Sequence, residues 1–155
     1  MEHTERVITE EQTIHPNDYE RASNSYLMAI VAVIVGLPLP IINIIASLMY
    51  YLGSLKSSYF VRWHCIQAIL AQTIMIPFNS LAWGWTLAVI LDKKEPTLYY
   101  SIYLFGVILF NIVEFFAVII TASKVGKGEN VRWFLIANIT DMLCSKKNKD
   151  PYRIY

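Results

Sequence analysis

The chain has 155 residues, 55% of them hydrophobic and 16% charged, with a mean hydropathy of +0.42. An average soluble domain is roughly 45–50% apolar and about 25% charged, so this composition excludes an ordinary soluble domain, and its hydrophobicity excludes a disordered chain. A net charge of +1 gives no basic field for nucleic acid, and two cysteines, Cys65 and Cys144, exclude a disulfide framework and a multi-cysteine metal site. What remains is a small all-α integral membrane protein.

Residues 1–24 are polar and acidic, with Glu2, Glu5, Glu10, Glu11, Asp18 and Glu20 outnumbering Arg6 and Arg21. They lack the basic start, apolar stretch and small-residue cleavage site of a signal peptide, and are read as an extramembrane tail. A membrane domain over residues 25–144 follows. Its first apolar stretch, 25–51, carries no charge and is long enough to span a bilayer. Gly36-Leu37-Pro38-Leu39-Pro40 interrupts it, and each proline removes a backbone donor, so a helix kinked at Pro38 and Pro40 is expected.

The second stretch, 57–91, opens with Arg62 and His64 and meets Pro77. A helix of that length measures roughly 50 Å, more than a ~30 Å hydrocarbon core, so its first turns are expected at the interface. Asp92-Lys93-Lys94-Glu95-Pro96 forms a turn, and a third span covers 97–121, broken only by Asn111 and Glu114. Lys124 to Glu129 reads as a loop. Residues 130–143 are too short to span. Val131, Phe134, Leu135, Ile139 and Met142 recur at helical spacing, which predicts an interfacial amphipathic helix anchored by Trp133. Lys146, Lys147, Lys149 and Arg153 make residues 145–155 a basic tail suited to anionic lipid headgroups.

Three spans put the termini on opposite sides. Lys and Arg concentrate on the C-terminal side, which predicts a cytoplasmic C-terminus. A re-entrant hairpin in the broken first stretch would instead put both termini on one side.

Ionisable residues inside a bilayer are costly and are candidate functional groups. Counting rise along each predicted span places Asn43, His64, Gln67, Asn111 and Glu114 in one polar layer, about 10 Å from the cytoplasmic face. Glu114 is expected to pair with His64 or Arg62. Such a layer serves either as glue between helices or as a path for a proton, ion or substrate. No catalytic constellation, metal-ligand spacing or cofactor motif is present, so no enzymatic activity, cofactor or metal is expected.

The most distinctive run is Tyr59-Phe60-Val61-Arg62-Trp63-His64-Cys65-Ile66-Gln67-Ala68-Ile69-Leu70. It resembles the signature of the Tic-twenty-like membrane proteins, a family that includes the import subunit of the chloroplast inner envelope and short bacterial relatives of unknown function. A weaker second match covers Ala122, Lys124 and Gly128-Glu129-Asn130-Val131-Arg132. The resemblance spans about residues 26–136 and makes Phe60, Arg62, His64, Gln67 and Ala68 motif positions, with Arg62 at the interface where its head can reach lipid phosphate. It implies a non-enzymatic membrane component connected with translocation or complex assembly, in the bacterial cytoplasmic membrane, with membrane lipids and either further copies of itself or other membrane subunits as partners. The alternatives are an oligomeric channel or transporter built on Glu114, His64 and Gln67, and a lipid-binding, membrane-organising protein.

Overall fold

The computed structural model describes residues 14–35, 40–93 and 95–144. Among these, five α-helices form and no strand: α1 (Pro16–Val35), α2 (Pro40–Gly53), α3 (Tyr59–Leu91), α4 (Leu98–Gly126) and α5 (Ile136–Leu143). The all-α class follows from the composition. Two helices, α3 and α4, are long and apolar enough to cross a membrane, with windows of mean hydropathy 1.6 and 2.4 of which only 11% is buried within the chain. Their exposed side chains are large and apolar, among them Phe78, Leu87, Ile90, Phe105 and Phe110. Such surface on a soluble protein would aggregate, whereas lipid accepts it. Pro77 lies inside α3 without ending it.

The first apolar stretch does not form one kinked span. The Tyr50 hydroxyl, near the end of α2, donates to the Arg21 carbonyl near the start of α1 at 2.8 Å. Continuous helix would hold these residues roughly 40 Å apart, so α2 runs back along α1. Gly36 to Leu39, including Pro38, lie outside the described residues; Pro40 opens α2, where its missing N–H costs nothing. The first stretch thus forms a hairpin of two shorter helices, the alternative left open for it, and three spans are not confirmed. Two long helices are accompanied by a pair of shorter antiparallel ones.

The start of α1 also lies lower in the chain than expected, within the polar segment. Proline at the first helical position and Asp18 in the first turn form a helix-start signature. The Asn17 amide donates to the His15 ring at 3.2 Å, and the Asp18 amide to the His15 carbonyl at 2.7 Å. Beyond that start, Ala22, Tyr26, Ala29 and Ile30 recur at helical spacing and are buried.

The core joins α1, α3 and α4 through Ala22, Ala68 and Ala122, with Tyr26, Val61, Val118 and Val125 packed around them. An alanine from each helix permits close approach of the backbones. The Ser23 hydroxyl donates to the Ala122 carbonyl at 2.8 Å, which sets α1 antiparallel to α4.

Helix α4 runs past Thr121 to Gly126, because its carbonyls find a Schellman cap where a loop was expected. The Glu129 amide donates to the Lys124 carbonyl and the Gly128 amide to the Val125 carbonyl, both at 3.0 Å. Gly128 sits at φ +94°, and the Tyr19 ring covers it at 3.6 Å from where a Cβ would stand. The starts of α1 and α3, the ends of α2 and α4, and α5 thus share one end of the molecule, here the basal end. The turn from Asp92 to Thr97 is the distal end.

Gly128→Ala is expected to destabilise the fold by about 1 kcal/mol or more, and Gly128→Asn by less, since Asn tolerates this backbone region. Thermal unfolding in detergent micelles measures the difference; an unchanged midpoint for Gly128→Ala contradicts the cap.

Candidate functional site

Among the described residues, two sets of hydrogen-bonded polar side chains join the helices. The basal set centres on Gln67, which is 0% exposed. Its amide nitrogen donates to the Tyr26 hydroxyl at 2.7 Å and to the Val131 carbonyl at 3.1 Å. Its carbonyl oxygen accepts the Trp133 backbone N–H at 3.1 Å. One carboxamide thus engages the donor and the acceptor of an extended segment, as a neighbouring strand would. The Tyr26 hydroxyl lies 2.9 Å from His64 Nδ1. Because Tyr26 already accepts from Gln67, its own proton is best placed on Nδ1, which puts the histidine proton on Nε2. That Nε2 is buried without a partner. Around it stand aromatic rings, with Phe60 and Trp63 edge-on to the imidazole at 4.4 and 5.0 Å.

The same segment is held from two further directions. Trp133 Nε1 donates to the Thr121 hydroxyl of α4 at 3.0 Å, so this tryptophan points inward and does not anchor the chain in lipid. Trp63 Nε1 donates to Asp141 Oδ1 of α5 at 2.8 Å. Arg132 pairs with Asp141 and stacks over the Trp63 ring at 5.0 Å. Helix α5 docks through Ile136, Ala137 and Thr140, leaving Phe134, Leu135 and Met142 exposed. The apolar face expected from spacing is therefore the outward one, as a helix lying against lipid requires.

The second set is a ladder between α3 and α4. Gln72 Nε2 donates to Glu114 Oε1 at 3.0 Å. One level further, Asn79 and Asn111 exchange amide bonds at 3.1 and 2.8 Å. Thr86 and Tyr100 share a bond at 3.0 Å near the distal end. On α3 these rungs fall at heptad spacing, Gln72, Asn79 and Thr86, which keeps them on one seam. A cavity of about 30 Å³, room for one water, lies between Ile30, Gln72, Asn111, Glu114, Phe115 and Val118.

The single polar layer is thus corrected to separate levels. His64 and Gln67 meet each other through Tyr26; Glu114 meets Gln72 and not His64 or Arg62; Asn111 meets Asn79. The physical reason is register. Because α4 continues to Gly126, Glu114 lies about 18 Å from its end rather than about 10 Å, level with Gln72. Asn43 falls in the first turn of α2, its side chain outside the described residues. Lys146, Lys147 and Lys149 also lie outside them. Of the motif positions, Phe60 packs edge-on against Tyr19 at 5.4 Å as well as against His64, Ala68 sits in the core, and Arg62 is 6% exposed. Among the described residues no three His, Cys, Asp or Glu side chains gather as metal ligands would.

Gln67→Leu strands the Val131 carbonyl and the Trp133 amide and leaves the Tyr26 hydroxyl bonded to His64 alone, and is expected to cost about 3 kcal/mol or more. Its signature is rapid hydrogen exchange at the Trp133 amide; continued protection there contradicts the clamp. Glu114→Ala and Gln72→Ala are expected to fall short of additivity by about 0.6–1.7 kcal/mol, whereas Glu114→Ala and His64→Ala add. A coupling of Glu114 to His64 in such a double-mutant cycle contradicts the ladder.

Residues 22–140 match the model of the magnetosome magnetite crystal formation protein family, MamF/MmsF. No curated protein and no solved structure matches the chain. The match overturns the Tic-twenty-like resemblance and with it the expectation of a translocation or assembly subunit. The resemblance rested on Phe60, Arg62, His64, Gln67 and Ala68. The structure uses Phe60, His64, Gln67 and Ala68 to pack and clamp helices, a demand that different families of small membrane proteins can share. The matched segment runs from the buried face of α1 through the whole α3–α4 pair to Thr140 of α5, and the chain belongs to the magnetosome magnetite crystal formation family.

Proposed function

We propose that this chain acts in magnetite crystal formation as a non-catalytic component embedded in the magnetosome membrane. Family membership supports the process. The observation that carries the non-catalytic reading is the ladder between α3 and α4, in which Gln72 bonds to Glu114 and Asn79 to Asn111. Polar groups paired in this way hold helices together. The outer faces of both helices are apolar and suit lipid.

Orientation follows from charge. Arg21, Lys56, Arg62, Lys124, Lys127 and Arg132 belong to the basal end, and Lys93 to the distal turn. The positive-inside rule puts the basal end in the cytoplasm, which leaves the distal turn facing the compartment where mineral grows. Assembly with further copies is part of the proposal, since the exposed apolar faces of α3 and α4 are continuous.

The test uses a magnetite-forming bacterium from which the gene has been deleted. Deletion is expected to shift the crystal size distribution seen by electron microscopy, and wild-type protein to restore it. Glu114→Gln keeps an oxygen for Gln72 to donate to but cannot exchange a proton, so it is expected to restore crystals fully. Crystals unchanged by deletion contradict the function. A Glu114→Gln protein present at normal abundance but unable to restore crystals contradicts the non-catalytic reading.

A further inference from the structure

The start of α3 gathers polar atoms that nothing in the molecule satisfies. Ser57 Oγ, Ser58 Oγ and Arg62 Nε are all buried without a hydrogen-bond partner. Ser57 is 2% exposed and Arg62 6%. Ser58 is the N-cap residue, yet its side chain makes no capping bond. The first backbone bond of the helix runs from the Arg62 amide to the Ser58 carbonyl at 3.2 Å, so the amides of Tyr59, Phe60 and Val61 precede the helical ladder.

Helical side chains lean toward the N-terminus and cover the residue four positions earlier. Arg62 follows Ser58 by four residues and so shares its face, at the positive end of a helix of 33 residues. A cation is an unfavourable occupant of that position unless an anion joins it. Among the described residues no carboxylate pairs with Arg62. The acidic residue of α5, Asp141, is engaged by Trp63 and Arg132. Cys144, which caps α5, is the neighbour on the other side: burial pushes its thiol up, and the Arg62 charge pulls the other way. Two hydroxyls, a guanidinium and the free amides of a helix N-terminus are all donors. Burying them unpaired costs about 1–3 kcal/mol for each group. The chemistry that satisfies them together is a tetrahedral oxyanion.

We propose that the N-terminal end of α3, through Ser57, Ser58 and Arg62, binds a phosphate oxyanion carried by the headgroup of an anionic phospholipid. Lipid is the favoured source because α3 continues directly into a membrane-crossing helix. That places its first turn at headgroup level, beside the partly exposed aromatic side chains of Tyr51 and Tyr59. The site stands independently of the role in mineral formation.

The experiment titrates full-length protein in a neutral detergent with phosphatidylglycerol, read by the fluorescence of Trp63 beside Arg62 and by native mass spectrometry. Phosphatidylcholine and inorganic phosphate are run as separate arms. Saturable binding of phosphatidylglycerol is expected, weakened about tenfold or more in Arg62→Gln and reduced in the double variant Ser57→Ala, Ser58→Ala. Neutralising Lys146, Lys147 and Lys149 with glutamine is expected to leave it in place. If Arg62→Gln fails to fold, the serine variant decides. Wild-type affinity in both variants overturns the site, as does loss of binding in the lysine variant alone. Displacement of lipid by inorganic phosphate, dependent on Arg62, overturns the lipid as source and makes free phosphate the ligand.

Discussion

The structure depends on one buried carboxamide. Gln67 is fully enclosed, and a buried amide without partners costs several kcal/mol. Its partners come from two parts of the chain: the Tyr26 hydroxyl of α1, and the Val131 carbonyl and Trp133 amide of the segment before α5. Meeting that demand keeps residues 131–133 extended, which is why α5 begins at Ile136 and not at the expected 130. It also brings α5 back onto α3, where Trp63 and Arg132 meet Asp141. Through Tyr26 the same group fixes α1 beside α3. Since α1 lies against α4 through Ser23 and Ala122, the basal end becomes one interlocked unit.

The distal half is built differently. Beyond Pro77 on α3 and before Val107 on α4, few side chains are buried, Ala82 and Tyr100 among them. The helices are joined there by hydrogen bonds across one seam: Asn79 with Asn111, Tyr103 with the Phe78 carbonyl, and Thr86 with Tyr100. Such bonds are modest individually, so the bilayer must supply the rest of the environment. A polar-locked base and an apolar two-helix extension suit a protein that holds a fixed orientation in a membrane and presents a short turn on its far side.

Much of this was legible in the sequence, and the failures have physical causes. Apolar runs located α3 and α4, and the spacing of Ile139 and Met142 marked the outward face of α5, whereas Val131, expected on that face, packs against the core. A helix is expected from residue 25, and only the first turns of α1 are hidden, because Asp18, Glu20 and Arg21 make them polar; the Pro16 and Asp18 start signal and the Ala22, Tyr26, Ala29 spacing are the available clues. The role of Gln67 left no trace in composition, because two of its partners are backbone atoms. Glu114 was matched to the wrong level because its helix continues to a cap at Gly128 that reads as a loop. The family resemblance failed for a related reason. A run such as Tyr59 to Leu70 records how helices pack, and packing demands recur across unrelated functions.

Helix α1 lies against the end of α4, so that both ends of the matched region share the basal side. A cysteine pair tests it most directly. A Cβ at Gly126 would stand 3.5 Å from the Ser23 Cβ, within the range a disulfide requires. Protein carrying Ser23→Cys and Gly126→Cys, oxidised in native membranes, is predicted to form that bond rapidly, with the joined peptides identified by mass. Absence of the cross-link while both thiols remain reactive would mean that the first apolar stretch crosses the membrane, and would contradict the account.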